Sequence, residues 1–320
     1  MPGTARPIGA VVAAAALFGT AGTAQELGPD GTTPLGVGAA RIAVGTIVLW
    51  GAVGLTPSRP PFADLLRTFR TMWRPIVIGG FGVAVYAPAF FAAVDRTGVA
   101  VGTVVGIGSG PFFAGALEWA WRATRPSLGW LIGTLVTVGG GVVLVVAQSG
   151  GDSQVDALGV AFALAAGAGY ALYSITSKVT MESGLVPTAA LAAPFTVGAI
   201  VVVVLASREP YGWLTSPDGL AMATHLGILA TGVAYVLFGY GLHRLTTATT
   251  VTLVLTEPLT ASLLAVVVLD ENISPAGWVG IVLVLVGLIT VGRTAELDVE
   301  PPARTGGAAV SWTAGRSDGR

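Results

Sequence analysis

The chain reads as an all-α polytopic membrane protein, with ten transmembrane helices arranged as two inverted five-helix repeats. Three observations predict this. The 320 residues are 53% hydrophobic and only 10% charged, with a mean hydropathy of +0.79, whereas a soluble protein carries about a quarter of its residues as charge. Apolar residues gather into stretches of about twenty, the length a helix needs to cross a hydrocarbon core of about 30 Å. Lys and Arg concentrate on alternate connections, as retention of positive charge on the cytoplasmic side requires.

Each span takes its limits from that length and from a charged or proline-bearing break. The first, 8 to 24, opens after Arg6; the second, 35 to 55, follows Pro34; the third, 75 to 94, lies between Arg74 and Asp95. The fourth and fifth, 99 to 121 and 127 to 147, flank the connection holding Arg122 and Arg125. The sixth, 157 to 177, runs from Asp156 to Lys178, and the seventh, 187 to 206, starts on Pro187 and stops before Arg208. The eighth, 219 to 241, follows Asp218; the ninth, 247 to 269, meets Asp270; the tenth, 275 to 292, runs from Pro275 to Arg293. No stretch alternates apolar with polar, and each exceeds a barrel strand, so helix is the spanning form. The first span, preceded by Arg6 and followed by the small residues Gly22 and Ala24, also has the outline of a secretory signal. It is read here as helix 1, because its loss would leave the sixth span without a counterpart. Residues 293–320 turn polar and rich in Pro and Gly, the composition of a disordered cytoplasmic tail.

Thirteen of the sixteen basic residues fall on the side of the N-terminus, while Arg96 and Arg208 fall on the other and Arg41 lies within a span. Both termini are therefore expected in the cytoplasm and the protein in the cytoplasmic membrane. Trp50, Trp73, Trp119, Trp121 and Trp130 fall near the inner interface. With no cysteine and two histidines, neither a thiolate site nor a metal centre has its raw material, and no cofactor is expected. A net charge of −1 gives no electrostatic footprint for nucleic acid. The expected partners are a small-molecule solute and the lipid bilayer, and a homodimer stays open.

A shift of 147 residues overlays spans four and five on nine and ten without a gap. Thr103, Pro111, Leu117, Ser127, Gly133 and Gly140 meet Thr250, Pro258, Leu264, Ser274, Gly280 and Gly287. Five spans per half is an odd number, so the halves run in opposite senses through the membrane. The charges agree: Arg122 and Arg125 occupy one connection, Asp270 and Glu271 its counterpart. The domains are accordingly residues 1–147, 157–292 and the tail. Inverted repeats are a recurrent device of secondary transporters, because similar halves can exchange which side of a shared cavity is open. The stretch Leu255-Thr256-Glu257-Pro258-Leu259-Thr260-Ala261-Ser262-Leu263-Leu264, followed by Leu269-Asp270-Glu271 and Gly277-Trp278-Val279-Gly280, resembles the signature of EamA-domain proteins in the drug/metabolite transporter superfamily. The first half is similar through Pro111, Gly133 and Gly140 but has Gly110 and Thr124 where the second has Glu257 and Glu271. The resemblance implies ten helices, two EamA repeats and the export or uptake of small metabolites.

Charge inside a span is costly and marks a candidate site. Glu257 stands directly before Pro258, whose missing N–H frees the Val254 carbonyl and bends the helix. It is either a cavity carboxylate that binds an amine or exchanges a proton, or a structural glutamate held in the kink. Arg41, two turns inside span two, holds a solute carboxylate or pairs with an acidic loop residue or with Glu257. Glu118, four residues before Arg122, reads as a simple surface pair. Phe18, Thr20, Tyr86, Tyr170, Tyr173, Ser174 and Tyr235 are candidate cavity liners, with Phe18, Tyr86, Tyr170 and Tyr235 taken forward with Arg41 and Glu257 as substrate-binding. Pro111 and Pro258 are candidate gating bends, and Gly98, Gly102, Gly106 and Gly110, at four-residue intervals, a close-packing face. No GxxxxGK[ST] loop occurs, so ATP hydrolysis has no visible means. The expected function is secondary transport, as efflux of small amino-acid-like or drug-like solutes by alternating access with possible proton coupling. The alternatives are an enzyme acting on lipid within the membrane and a sensor or accessory subunit that does not transport.

Overall fold

The structure, a computed structural model, describes residues 5–56, 61–123, 125–148, 156–268 and 273–297. Among these residues all regular structure is helical. The helices are α1 (Ala5–Glu26), α2 (Pro34–Leu55), α3 (Phe62–Thr71), α4 (Trp73–Arg122), α5 (Leu128–Gln148), α6 (Ala157–Glu182) and α7 (Pro187–Leu205), followed by α8 (Pro217–Thr224), a π-helix (His225–Val233), α9 (Ala234–Arg244), α10 (Thr247–Leu253), α11 (Thr256–Val268) and α12 (Pro275–Leu297). The continuous segments Pro217–Arg244 and Thr247–Val268 are among seven in the described residues long and apolar enough to cross a bilayer. Ile47, Phe81, Val204, Val267 and Val279 are more than half exposed, a surface stable against lipid and not against water. The protein is a multi-pass membrane protein.

The starts follow local chemistry. Thr33 accepts the Gly36 amide before Pro34, and Asp156 accepts the Leu158 amide before α6. Arg96 donates to Asp156 at 3.1 Å, and this bond is the leading reason the Asp156 carboxyl is held below its ordinary range. The span expected at 247 to 269 is two helices parted at Val254 and Leu255. Pro258 offers no N–H, so the Val254 carbonyl takes the Glu257 amide instead, at 2.8 Å, and the ladder tightens and breaks.

Spans three and four are one uninterrupted helical segment, α4, and Pro111 within it makes no break of the kind seen before Pro258. At 1.5 Å per residue, fifty residues would extend about 75 Å if straight. Instead α4 doubles back along α6. Gly82 abuts Gly169 and Tyr173, Gly110 abuts Tyr170, and Phe90 comes 3.4 Å from where a Cβ on Gly106 would stand. Helix α3, absent from the sequence reading, buries Leu65 and sets Phe69 against Trp50, ring centroids 6.0 Å apart, while Arg67 and Arg70 stay exposed. It is amphipathic over ten residues, too short to register as a span.

Helices α5 and α12 run antiparallel and touch through glycines. A Cβ on Gly133 would lie 3.1 Å from the Gly287 carbonyl oxygen, and one on Gly140 would lie 2.6 Å from the Val284 nitrogen and 2.9 Å from the Gly280 oxygen. Small residues are what permit backbones this close in lipid. Elsewhere α1 packs on α9 and α11, α2 on the π-helix and α7, and α4 on α6 and α7. Tail residues Arg293–Leu297 continue α12, and the rest of the tail, with Thr124, Asp270 and Glu271, lies outside the described residues.

Candidate functional site

Phe18, Arg41, Tyr86, Tyr170, Tyr235 and Glu257 line one cavity, joined by Ile107, which sequence reasoning did not single out, and by Val254, which it named only for the carbonyl freed by Pro258. The glycines explain how the helices converge there. Gly19 lets α1 approach α11 until a Cβ would stand 2.7 Å from the Glu257 carbonyl oxygen, which places the neighbouring Phe18 beside the cavity. Gly110 leaves room for the Tyr170 ring, whose Cδ1 lies 3.2 Å from the missing Cβ. The cavity is small, with aromatic and charged side chains meeting across it.

Arg41 makes no salt bridge among the described residues, although Glu257, one of the partners considered for it, lines the same cavity. It donates from Nε to Thr231 Oγ1 at 2.9 Å and from Nη2 to the Ala230 carbonyl at 3.1 Å. Thr231 in turn donates to the Leu226 carbonyl five residues earlier, at 2.8 Å, inside the π-helix. One turn beyond Arg41, Gly45 receives the Thr231 methyl group, so α2 grips both ends of that side chain. A guanidinium has five N–H donors, and two are used here. The remaining edge is available to a carboxylate. Glu257 stands in the first turn of α11, and its carboxylate makes no hydrogen bond or ion pair with the described residues.

The aromatic wall is continuous. Phe18 and Tyr235 have centroids 5.0 Å apart, Phe195 and Tyr235 4.5 Å, Tyr170 and Tyr173 5.3 Å, and Tyr86 and Tyr170 5.9 Å. Tyr173 donates to the Tyr235 hydroxyl at 2.9 Å and is buried behind the cavity. Ser174 donates to the Tyr170 carbonyl and Thr20 to the Leu17 carbonyl, and Thr20 Oγ1 also lies 2.8 Å from His225 Nε2, outside the cavity lining.

Glu118 corrects the expectation of a surface pair. It is 5% exposed, and its carboxylate accepts the Thr247 and Ala248 amides, each at 3.0 Å, capping α10 from another helix. Lys178 donates to the carbonyls of Leu242, His243 and Leu245 at 2.7, 3.1 and 2.8 Å, at the end of α9. The short α9–α10 connection is thus fixed at both ends by buried charge. Trp130, expected at the membrane interface, is buried and donates to Thr252 at 3.2 Å. An indole N–H this deep must find an acceptor, which α10 supplies.

The description "EamA-like transporter family" matches the chain twice, over residues 6–146 and 157–293. The chain is 38% identical to the uncharacterized transporter YwfM of Bacillus subtilis (strain 168), over 88% of this chain and 92% of that protein. It is 29% identical to the threonine/homoserine exporter RhtA of Escherichia coli (strain K12), over 83% of each. A crystal structure of a protein 22% identical shares the fold, with a TM-score of 0.73 over 91% of this chain and 98% of that one. The likeness read from residues 255–280 is borne out, and with it the expectation of transport in place of catalysis. Matched in both halves, the chain belongs to the EamA-like transporter family.

Proposed function

We propose that the protein is a secondary exporter of small zwitterionic, amino-acid-like solutes in the cytoplasmic membrane, working by alternating access. The observation that carries this is the cavity itself, which joins a half-satisfied guanidinium, Arg41, and an unpaired carboxylate, Glu257, within aromatic walls. Arg41 takes the solute carboxylate and Glu257 its ammonium group, and each charge relieves the other's cost of burial. The match to a threonine/homoserine exporter supports the solute class and the direction. Glu257 holds either the solute's ammonium group or a proton, so that a proton arriving from the outer side displaces the solute and is released inside when the next solute binds, which couples efflux to the proton gradient.

The path consists of ten spans, with α4 counted as two, in two inverted halves. Support comes from the α5–α12 crossing. Gly133 and Gly140 match Gly280 and Gly287 under the 147-residue shift, and Gly133 packs on Gly287 while Gly140 packs on Gly280, as a two-fold axis between antiparallel copies requires. Connections assigned to one side by charge also meet: Glu118 with Thr247, Gly129 with Thr294, and on the other side Arg96 with Asp156. Pro258, at the broken helix, is the hinge of the gate, and Pro111 a stiffer counterpart. The test is flux of radiolabelled L-threonine from proteoliposomes of purified protein. Flux that saturates and falls in Arg41→Gln is expected, and no flux above empty liposomes would remove the proposal.

A further inference from the structure

The Tyr170 hydroxyl oxygen is buried and has no hydrogen-bond partner among the described residues, although Tyr170 lines the cavity. Its neighbours are settled differently. Tyr173 and Tyr235 satisfy one another at 2.9 Å, while Phe18, Ile107 and Val254 offer no polar atom from their side chains. Leaving a buried hydroxyl unpaired is destabilising, so buried polar groups in native proteins are overwhelmingly paired and each exception asks for a cause. The ring is also held in place, with Gly110 beneath it and Tyr86 and Tyr173 at its sides.

We infer that Tyr170 is the specificity-determining residue of the cavity and that it recognises a hydroxyl group on the solute's side chain. This rests on the reading of the protein as a carrier of zwitterions. Arg41 and Glu257 then read the carboxylate and ammonium common to every amino acid, and neither can tell one side chain from another. Discrimination falls to a third polar group. A phenol both donates and accepts, which suits a solute hydroxyl that does the same. A site built to bond a hydroxyl also rejects the apolar isostere, because the isostere leaves the protein's own group buried and unpaired.

The test compares L-threonine with its isostere L-valine in proteoliposomes of the unmodified protein, Tyr170→Phe and Tyr240→Phe. Threonine should be preferred about ten-fold by the unmodified protein, the scale of one hydrogen bond. Tyr170→Phe should bring that ratio close to one by raising the KM for threonine, with valine flux retained, and Tyr240→Phe, at an exposed tyrosine outside the cavity, should keep the preference. An unchanged ratio in an active Tyr170→Phe protein overturns the inference and leaves the solute class standing. Absence of flux for both solutes in the unmodified protein overturns the proposed function as well. Ligand-induced thermal shifts of the unmodified protein give a second reading that needs no variant: a larger shift with threonine is expected, and equal shifts with the two solutes overturn the inference.

Discussion

Arg41 Nε donates to Thr231 Oγ1 at 2.9 Å, across 190 residues of sequence, and so ties the cavity's cation to the π-helix. The hydroxyl fixes the plane of the guanidinium and thereby aims its remaining donors. Thr231→Val keeps the shape and removes the acceptor, leaving a charged N–H unpaired. The KM for a zwitterionic solute should rise about ten-fold with a smaller change in kcat. Thr231→Ser should restore it, which a merely steric role for the methyl group would not allow. Flux kinetics in proteoliposomes decide between them.

Glu118 holds α10 by two backbone amides that no residue of α10 can satisfy. Glu118→Ala should lower stability by about 1–3 kcal/mol, the cost of unpaired buried donors. Glu118→Gln should fall between, since an amide presents one acceptor oxygen where the carboxylate presents two. Thermal unfolding in detergent measures both.

The glycine contact between α5 and α12 is backbone against backbone, so nothing can yield. Gly140→Leu should abolish accumulation of folded protein, because its Cβ would enter the Val284 amide. Gly139→Ala, one position along and with nothing within 4 Å, should be tolerated. Size-exclusion profiles of the two variants provide the comparison.

Glu257→Gln keeps the side chain's size and removes its charge and its titration. Efflux driven by an imposed proton gradient should be lost, and the pH dependence of solute exchange should flatten. Undiminished, gradient-driven efflux across pH would show that the coupling lies elsewhere.

Helix positions were legible because lipid imposes a length and expels charge. Residues 187 to 206 were expected and Pro187–Leu205 are found; 35 to 55 were expected and Pro34–Leu55 are found. Four of the seven proposed aromatic and hydroxyl liners, with Arg41 and Glu257, meet at the cavity, since polar groups within spans have few other places to go. Partners were not legible. Glu118 and Arg122 have the spacing of a helix pair, yet Glu118 binds an amide pair 129 and 130 residues away, a contact that only the fold creates. The π-helix over His225–Val233 has no local signal either: it rests on bonds five residues apart, such as that from the Ala234 amide to the Leu229 carbonyl, which apolar composition does not announce. Ile107, and Val254 as a cavity liner, were not legible because an apolar residue in a span is, by sequence, indistinguishable from one facing lipid.

The chain contains no cysteine, so a single one can report which water reaches the cavity. Val254→Cys, probed with a membrane-impermeant maleimide in right-side-out and in inside-out vesicles, tests alternating access to a shared chamber most directly. Labelling from both faces, slowed by a transported amino acid, is the expected result. Labelling from one face alone, at a rate indifferent to the solute, would contradict it.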